Sequence, residues 1–534
     1  MRKQTKLVAV LSAAALLAIG ASMTSFAAAA HWDQQDGEWV YLDRNGDRVT
    51  DEWKKSNNQW YYLDADGFMA REQVIEDDED KYYVDANGVR VTNAWVSMDN
   101  DDLLDDDDFT DSIDTVWMYF DGSGKAIGSG SSNGAIKKLS YGDNQSAYFI
   151  FNQDGYMLSG WQRWSKNGDK EKLYYLGGQN EGWAHTGWQY LEIDPDIDAF
   201  AGINTEAEEY EDEAWFYFDS NGKAYENASK TISGKNYAFD EHGRMIDLWV
   251  YKDTDGTFSN ANGTSTASSA AYYQEDNGGR DKNWIYAYPK TSYDNYSDDP
   301  YWFYLDKNGK PFRADDSTTV SVGSAERIDD DDKTDSTEAT YNGKVSAKSI
   351  KNQTYLFNDK GVMLTGLYEL DKVGKGNTKM ADGIYYFTID GNHSSVEGQM
   401  VKNKRVTIDV NDEDRTYYFK STGEAYTGVV INGYVYYGDV TDSNGNSLKG
   451  QMVTDYGDGN TYTLVKISDI VDKDKDGNYT LLNKNKKEEI SVPDGDTTLL
   501  INEKGKIRKS GTVTDVNGEK VTANNYVAKP VPEK

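Results

Sequence analysis

A short word recurs along this chain: an aromatic-rich stretch, an aspartate and, three residues later, a glycine. It reads Trp39-Val-Tyr41-Leu-Asp43-Arg-Asn-Gly46, then Trp60-Tyr-Tyr62-Leu-Asp64-Ala-Asp-Gly67, then Lys81-Tyr-Tyr83-Val-Asp85-Ala-Asn-Gly88, with the glycines 21 residues apart each time. Trp117 to Gly124, Trp215 to Gly222 and Trp302 to Gly309 repeat the word, and looser copies end at Gly155, Gly243, Gly361, Gly391, Gly423 and Gly505. Self-similarity at a fixed period marks a repeat architecture, in which each unit buries its apolar face only against its neighbours.

Alternation places Trp39 and Tyr41 on one face and Val40 and Leu42 on the other, the period of two of a half-buried strand rich in aromatic and β-branched residues. Asp43 to Gly46 then reads as a turn, with the Asp side chain accepting backbone N–H groups ahead of it and Gly taking a positive φ. Each unit is a hairpin. A lone hairpin is marginal in water, so the units must bury their aromatic faces on one another. The expected fold is all-β: a solenoid of stacked short aromatic β-hairpin repeats, with loop insertions and broad unfolding.

Insertions interrupt the array at an Asp-dense run from 99 to 114, a Ser, Ala, Thr, Asn and Gly-rich run from 259 to 271, and a Ser, Thr and acid-rich run from 315 to 340. Such compositions read as solvated loops. The expected organisation is a signal peptide at 1–29, hairpin repeats at 30–313, a linker or loop at 314–345, a second repeat block at 346–453, and a β-rich cap or degenerate tail at 454–534. The signal assignment rests on Arg2, Lys3 and Lys6, an apolar core from Leu7 to about Gly20, and small residues from Ala27 to Ala30. That core is too short to span a bilayer, and no later stretch is long enough. The residues from Val527 to Lys534 carry neither a hydrophobic tail nor an LPxTG-type sorting signal, so the expectation is secretion with non-covalent retention at the cell surface.

With Cys 0 the chain cannot use disulfides, and its formal charge of -35 opposes nucleic acid and anionic membranes through the generic repulsive term. A cationic or neutral ligand suits it better. Tyr 40 and Trp 14 supply large amphipathic rings both for a core and for ligand-stacking surfaces.

Over roughly residues 31 to 450 the words resemble the cell-wall-binding repeats of Gram-positive surface proteins, the choline-binding and glucan-binding group. The resemblance implies ligand sites between successive hairpins, in cages of aromatic residues often closed by a Met or Leu. A quaternary ammonium has no N–H to donate and is held by ring faces at ~0.5 to 2 kcal/mol per contact, while sugars present C–H patches to the same rings. The family signature, Gly-Trp followed by Trp-Tyr-Tyr, is best matched by Gly160-Trp161-Gln-Arg-Trp164 with Tyr174-Tyr175-Leu176, then Gly182-Trp183 and Gly187-Trp188. In the first block the matching positions are Trp53, Trp60, Tyr62, Met69 and Tyr83, with Glu52 standing where Gly precedes the Trp. Gly366-Leu367, Gly398-Gln399, Gly428-Val429 and Gly450-Gln451 lack the Trp and read as scaffold.

Nothing points to catalysis. Stretches free of repeat words are on the order of 40 to 80 residues, short of a catalytic domain of ~100 to 200. His31, His185, His242 and His393 are scattered without metal-ligand spacing, and no nucleophile elbow, P-loop or cysteine is present. Asp472-Lys-Asp474-Lys-Asp476-Gly477 has the early spacing of a calcium loop, but Asn483 stands where the bidentate Glu would sit, so it reads first as a polar turn, with weak calcium binding left open and no other cofactor expected. The function expected is a non-catalytic binding protein for choline-decorated teichoic acid or wall glycans. The alternative is a structural or adhesive surface protein with degenerate repeats contacting host or matrix glycans or proteins.

Overall fold

The computed structural model describes residues 29–531 except 100–114, 143–144, 166–169, 196, 198–199, 201–202, 204–211, 261–269, 289–299, 315–322, 329–341, 372, 374–377, 390–396, 411–412 and 455–460. The signal segment, nearly all of the Asp-dense run, most of the two other insertions, Gly391 and His393 lie outside the described residues. The chain forms two compact units. The first runs to Ile246 and includes Asp253–Ser259; the second comprises Asp247–Lys252 and the residues from Asn260 onward.

In the first unit the described strands pair as consecutive antiparallel hairpins: His31–Gln35 with Glu38–Leu42, Glu52–Ser56 with Gln59–Leu63, Gln73–Asp77 with Asp80–Val84, and Ala94–Asp99 with Thr115–Phe120. Ala135–Tyr141 with Gln145–Phe151, Trp161–Trp164 with Lys172–Tyr175, Gly187–Glu192 with Glu213–Phe218, and Ala228–Ile232 with Lys235–Phe239 continue the series. Register is constant: Trp32 faces Tyr41, Trp53 faces Tyr62, Trp95 faces Tyr119, Trp161 faces Tyr175 and Trp188 faces Tyr217.

The turn forms as its sequence dictates. Asp64 Oδ1 accepts the backbone N–H groups of Asp66 at 3.0 Å and Phe68 at 2.8 Å, and the Gly67 N–H returns to the Asp64 carbonyl at 2.9 Å. The same Asx geometry recurs at Asp43, Asp85, Asp121, Asp219 and Asp306, and with Asn at Asn152 and Asn358.

Between several successive hairpins one further bond forms. The residue two past the turn glycine donates its N–H to the carbonyl of the first residue of the preceding word: Met69 to Trp39 at 2.8 Å, Arg90 to Trp60 at 2.9 Å, Ala126 to Lys81 at 2.8 Å, and Met157 to Trp117 at 2.8 Å. Successive hairpins thus stay separate two-stranded sheets linked by single bridges, such as Val40 with Phe68 and Met118 with Tyr156. The alternation expected from the words holds: Val40, Tyr61, Leu63 and Val84 are buried, while Trp39, Tyr41, Trp60 and Tyr62 are half-buried or nearly so.

The second unit opens with two hairpin pairings, Leu248–Lys252 with Ala271–Tyr273 and Asn283–Ala287 with Tyr301–Leu305. A six-stranded sheet follows, from Gly323–Arg327 to Gly383–Phe387, whose strand Gly323–Arg327 falls within the stretch read above as linker or loop and whose strand Asn342–Ile350 begins in it. They are held there by buried Ala325 and Val345, which join a core with Tyr368, Tyr385 and Phe387. Arg405–Val410 pairs with Glu413–Tyr418. Residues 462–530 form strands of a four-stranded sheet, which includes Val429–Ile431, and a five-stranded sheet.

Two predictions follow from the turns. Hydrogen bonds from Asp47 and Asn45 hold the Asp43 carboxyl below its ordinary 3.8, those from Asn446 do so for Asp442, and those from Asn478 and Thr480 for Asp474. A lowered folded-state value gives stability that is present above the ordinary value and lost as pH falls through the lower one. Unfolding by urea, followed by circular dichroism, will therefore show a midpoint that drops as pH is taken from about 5 to about 2; a flat midpoint would mean that the turns contribute no charge-dependent stability. Gly88 adopts φ +72°, and a Cβ there would sit 2.9 Å from Met69 Sδ and 3.0 Å from the Ala70 carbonyl oxygen. Gly88→Ala will destabilise its hairpin by about 1–2 kcal/mol or more, read as faster hydrogen exchange confined to the flanking hairpins.

Candidate aromatic cages

The constant register brings four positions together between consecutive hairpins. They are the residue opposite the word's second tyrosine, the word's first residue, the second residue of the next word, and the residue two past the next turn glycine. In the first interval these are Trp32, Trp39, Tyr61 and Met69, packed as one cluster with Trp32 and Tyr61 centroids 5.3 Å apart. Trp95, Trp117, Phe149 and Met157 hold the same positions further on, with Trp95 centroids 6.5 Å from Trp117 and 4.9 Å from Phe149. This set is more closed, as Trp117, Phe149 and Met157 are all buried.

Two other intervals build one arrangement twice. Trp188 lies 6.2 Å and 86° from Trp215, 5.1 Å and 75° from Tyr217, and 4.7 Å and 67° from Tyr237. In the second unit Trp284 lies 6.2 Å and 89° from Trp302, 5.1 Å and 71° from Tyr304, and 4.8 Å and 64° from Tyr355. Met245 pairs with Phe239 in the first and Met363 pairs with Phe357 in the second. Gly187 at φ +74° and Asn283 at φ +68° start the two Trp-bearing strands, so Asn serves where Gly was expected. Trp215 is 44% exposed and Tyr190, tilted against it at 5.2 Å, is 50% exposed, so this site is open to solvent.

The rings of such a site attract cations by their quadrupole, and the thioether of Met adds a soft apolar wall. Around Trp284 the surroundings are acidic. A cleft lined by Tyr272, Gln274, Glu275, Asp276, Asp281 and Tyr286 opens beside it. Burial first, then the negative charges of Glu275, Asp281, Asp247 and Asp276, raise the Tyr272 phenol above its ordinary value.

The residues singled out from sequence fall differently. Trp161, Trp164, Trp183 and Trp188 do not share a site. Trp161 is packed in a core, with Phe200 at 4.9 Å, Phe216 at 4.7 Å and Tyr175 at 4.9 Å, and its indole N–H donates to the Glu192 carbonyl at 3.1 Å. The other positions of that interval are Leu173 and Ala224, and buried Phe200 fills the remaining space. Trp164 packs against Ile150 and Tyr174, and its N–H donates to the Asn133 carbonyl at 3.0 Å. Trp183 follows a turn glycine, as Phe68 does, and stacks on Tyr141 at 4.8 Å and 18°.

In the first block, Trp53, Trp60 and Tyr62 belong to one interval, Met69 to the preceding one, and Tyr83 to the next core, against Phe120. Gln399 and Gln451 likewise stand one past turn glycines, whereas Leu367 and Val429 do hold the Trp position. Trp32, Trp39, Trp95, Trp117, Trp215, Trp284 and Trp302 were missed as site residues. The signal that finds them is a Trp followed by an aromatic word and then, in the next hairpin, Gly-x-Met, as in Gly67-Phe-Met69, Gly155-Tyr-Met157, Gly243-Arg-Met245 and Gly361-Val-Met363.

The acidic spacing at Asp472 to Gly477 forms one more Asx turn, with the Asp474 carboxylate accepting from Asp476, Asn478 and Thr480. Among the described residues no three His, Cys, Asp or Glu side chains converge to hold a metal ion, and no helix is long and apolar enough to cross a membrane.

A choline-binding repeat model matches residues 49–95, and a cell wall binding repeat model matches residues 209–224. Glucosyltransferase-S of Streptococcus mutans is 25% identical over 356 residues, covering 64% of this chain; the chain spans 18% of that protein's length. Among solved structures, CbpJ of Streptococcus pneumoniae TIGR4 shares 15% identity over 74% of this chain and 100% of its own, with a TM-score of 0.34. The choline-binding domain of CbpL from the same species shares 23% over 44% of this chain and 100% of its own, with a TM-score of 0.26. The chain therefore carries repeats of the choline-binding, cell-wall-binding family, matched directly at residues 49–95 and 209–224.

Proposed function

We propose that this chain is a secreted, non-catalytic, cell-wall-associated binding protein whose hairpins stack as a solenoid and whose cages hold the quaternary ammonium of choline-decorated wall polymer. One observation carries the reading: the Trp188 and Trp284 cages, built from two copies of the repeat word in separate units, keep the same three Trp-centred ring pairs to within 0.1 Å and a few degrees and leave ring faces exposed at Trp215, Tyr190 and Tyr286. The cages offer rings and thioethers, which bind a methylated cation but supply no general acid, base or nucleophile.

Three desolvated ring contacts of about 2 kcal/mol each, less the cost of immobilising the ligand, leave about 4 kcal/mol and place a single cage near millimolar affinity. Retention on a polymer carrying many cholines then comes from several cages acting together, which raises avidity by ~10²–10⁴. The acidic surface keeps the chain off the polymer's phosphates and leaves the ammonium as the attractive group.

A second reading, glucan binding, is favoured by the exposed ring faces of Tyr190, Trp215, Tyr286 and Tyr288, which suit sugar stacking, and by the likeness to Glucosyltransferase-S. Incubating the protein with purified Gram-positive walls separates the two. Free choline at tens of millimolar (about tenfold above the expected single-cage affinity) will release it, and dextran will not. Release by dextran alone would replace the choline reading with the glucan one, and reducing sugar liberated from the walls would refute the non-catalytic reading.

Substitutions sort the tryptophans. Trp188→Ala and Trp284→Ala will each lower wall retention at least ~10-fold in chains that circular dichroism shows to be folded. Trp161→Ala will destabilise the first unit by about 1–3 kcal/mol, because it strips a partly buried ring from its contacts with Phe200 and Phe216.

A further inference from the structure

The interval between the second and third hairpins departs from the others at one position. Trp53, Trp60 and Tyr82 hold the three ring positions, and Trp53 and Tyr82 centroids are 5.3 Å apart. Where Met69, Met157 and Met363 pack against the rings of other cages, the residue is Arg90, placed by a bond from its N–H to the Trp60 carbonyl at 2.9 Å. Its guanidinium carbon lies 5.1 Å from the Trp53 ring, 5.1 Å from the Trp60 ring and 5.4 Å from the Tyr82 ring.

The Arg90 Nε is buried without a hydrogen-bond acceptor in the structure. A buried guanidinium N–H is ordinarily paired, so the attraction holding this group comes chiefly from the ring faces. The side chain is also clamped from outside: a Cβ on Gly124 would fall 2.8 Å from Nε and 2.9 Å from Cδ. Arg stays protonated throughout the accessible pH range, so the occupant is a permanent cation.

We propose that Arg90 is the built-in ligand of the Trp53–Trp60–Tyr82 cage, filling the position of an external ammonium and closing that cage to choline. The inference rests on the cages being cation sites. A side chain anchored on the neighbouring strand acts at an effective concentration on the order of millimolar or above, so it outcompetes a free ligand of millimolar affinity. The cage then serves as an internal cation–π staple between two hairpins, and the binding-competent cages are those closed by Met. Arg90 is thereby a specificity-determining residue: it sets which intervals read the wall.

The test uses the full chain labelled with 5-fluorotryptophan, observed by fluorine NMR as choline chloride is added, with signals assigned by single Trp→Phe variants. In the wild type the Trp188 and Trp284 signals will shift, while those of Trp53 and Trp60 will not. In Arg90→Met the Trp53 and Trp60 signals will shift as well, and in Arg90→Lys, which keeps a tethered cation, they will stay silent. Movement of Trp53 and Trp60 in the wild type, or their silence in a folded Arg90→Met chain, overturns the proposal. Should Arg90→Met fail to fold, the wild-type spectrum together with Arg90→Lys decides: choline-induced shifts at Trp53 or Trp60 in either would refute the staple. Silence at Trp188 and Trp284 instead overturns the choline reading, an outcome distinct from failure at Trp53 and Trp60.

Discussion

The bond on which the hairpin series depends is a single backbone hydrogen bond, from the residue two past a turn glycine to the first carbonyl of the preceding word, as at Met69, Arg90, Ala126 and Met157. It fixes the register between hairpins that share no continuous sheet. It also delivers one side chain of each hairpin against the aromatic face of the previous one. The Asx turn makes the bond possible, since the Asp carboxylate and the positive φ of the glycine aim the chain back at its neighbour. What that delivered side chain is decides what the interval becomes.

A Met at that position leaves a ring-lined recess with a soft wall. Alanine with leucine, as at Ala224 and Leu173, leaves room that Phe200 fills, turning the interval into core. Arginine introduces a cation between the rings. In the third interval Val74, Lys81, Met118 and Ala126 hold the four positions and no ring cage forms. Stability and recognition therefore draw on the same half-buried face, and each interval serves one more than the other. Because a repeat array is stabilised by neighbour contacts, an interval dedicated to ligand can be supported by adjacent intervals dedicated to packing.

The distribution of open cages bears on function. Among the described residues, Trp–Trp–Tyr arrangements lie in both compact units, as at Trp188 and Trp284, and each is weak alone by the size of cation–π contacts. Weak sites spread along one chain favour a polymeric ligand over a free small molecule, since only a polymer engages several at once. The acidic surface acts in the same direction, opposing adhesion to polyanions except where a methylated cation is offered.

Much of this was legible before any coordinates. The repeat word, its strand alternation and its turn all follow from residue type, because period-two burial and Asx-turn chemistry are local. The residues that share a cage were not legible. The sequence signature pointed to Trp161, yet its neighbour Phe200 comes from an insertion nearly 40 residues further on, and no local pattern announces that it turns inward. Met69 was grouped with Trp53 and Trp60 by proximity in sequence, whereas the inter-hairpin bond sends it back to Trp32 and Trp39. The sequence by itself determined the hairpins, their turns and the face each ring occupies. Only the tertiary structure decided which rings meet and what stands between them, because ring contact depends on the register between hairpins and on the side chain that the next turn carries into the gap.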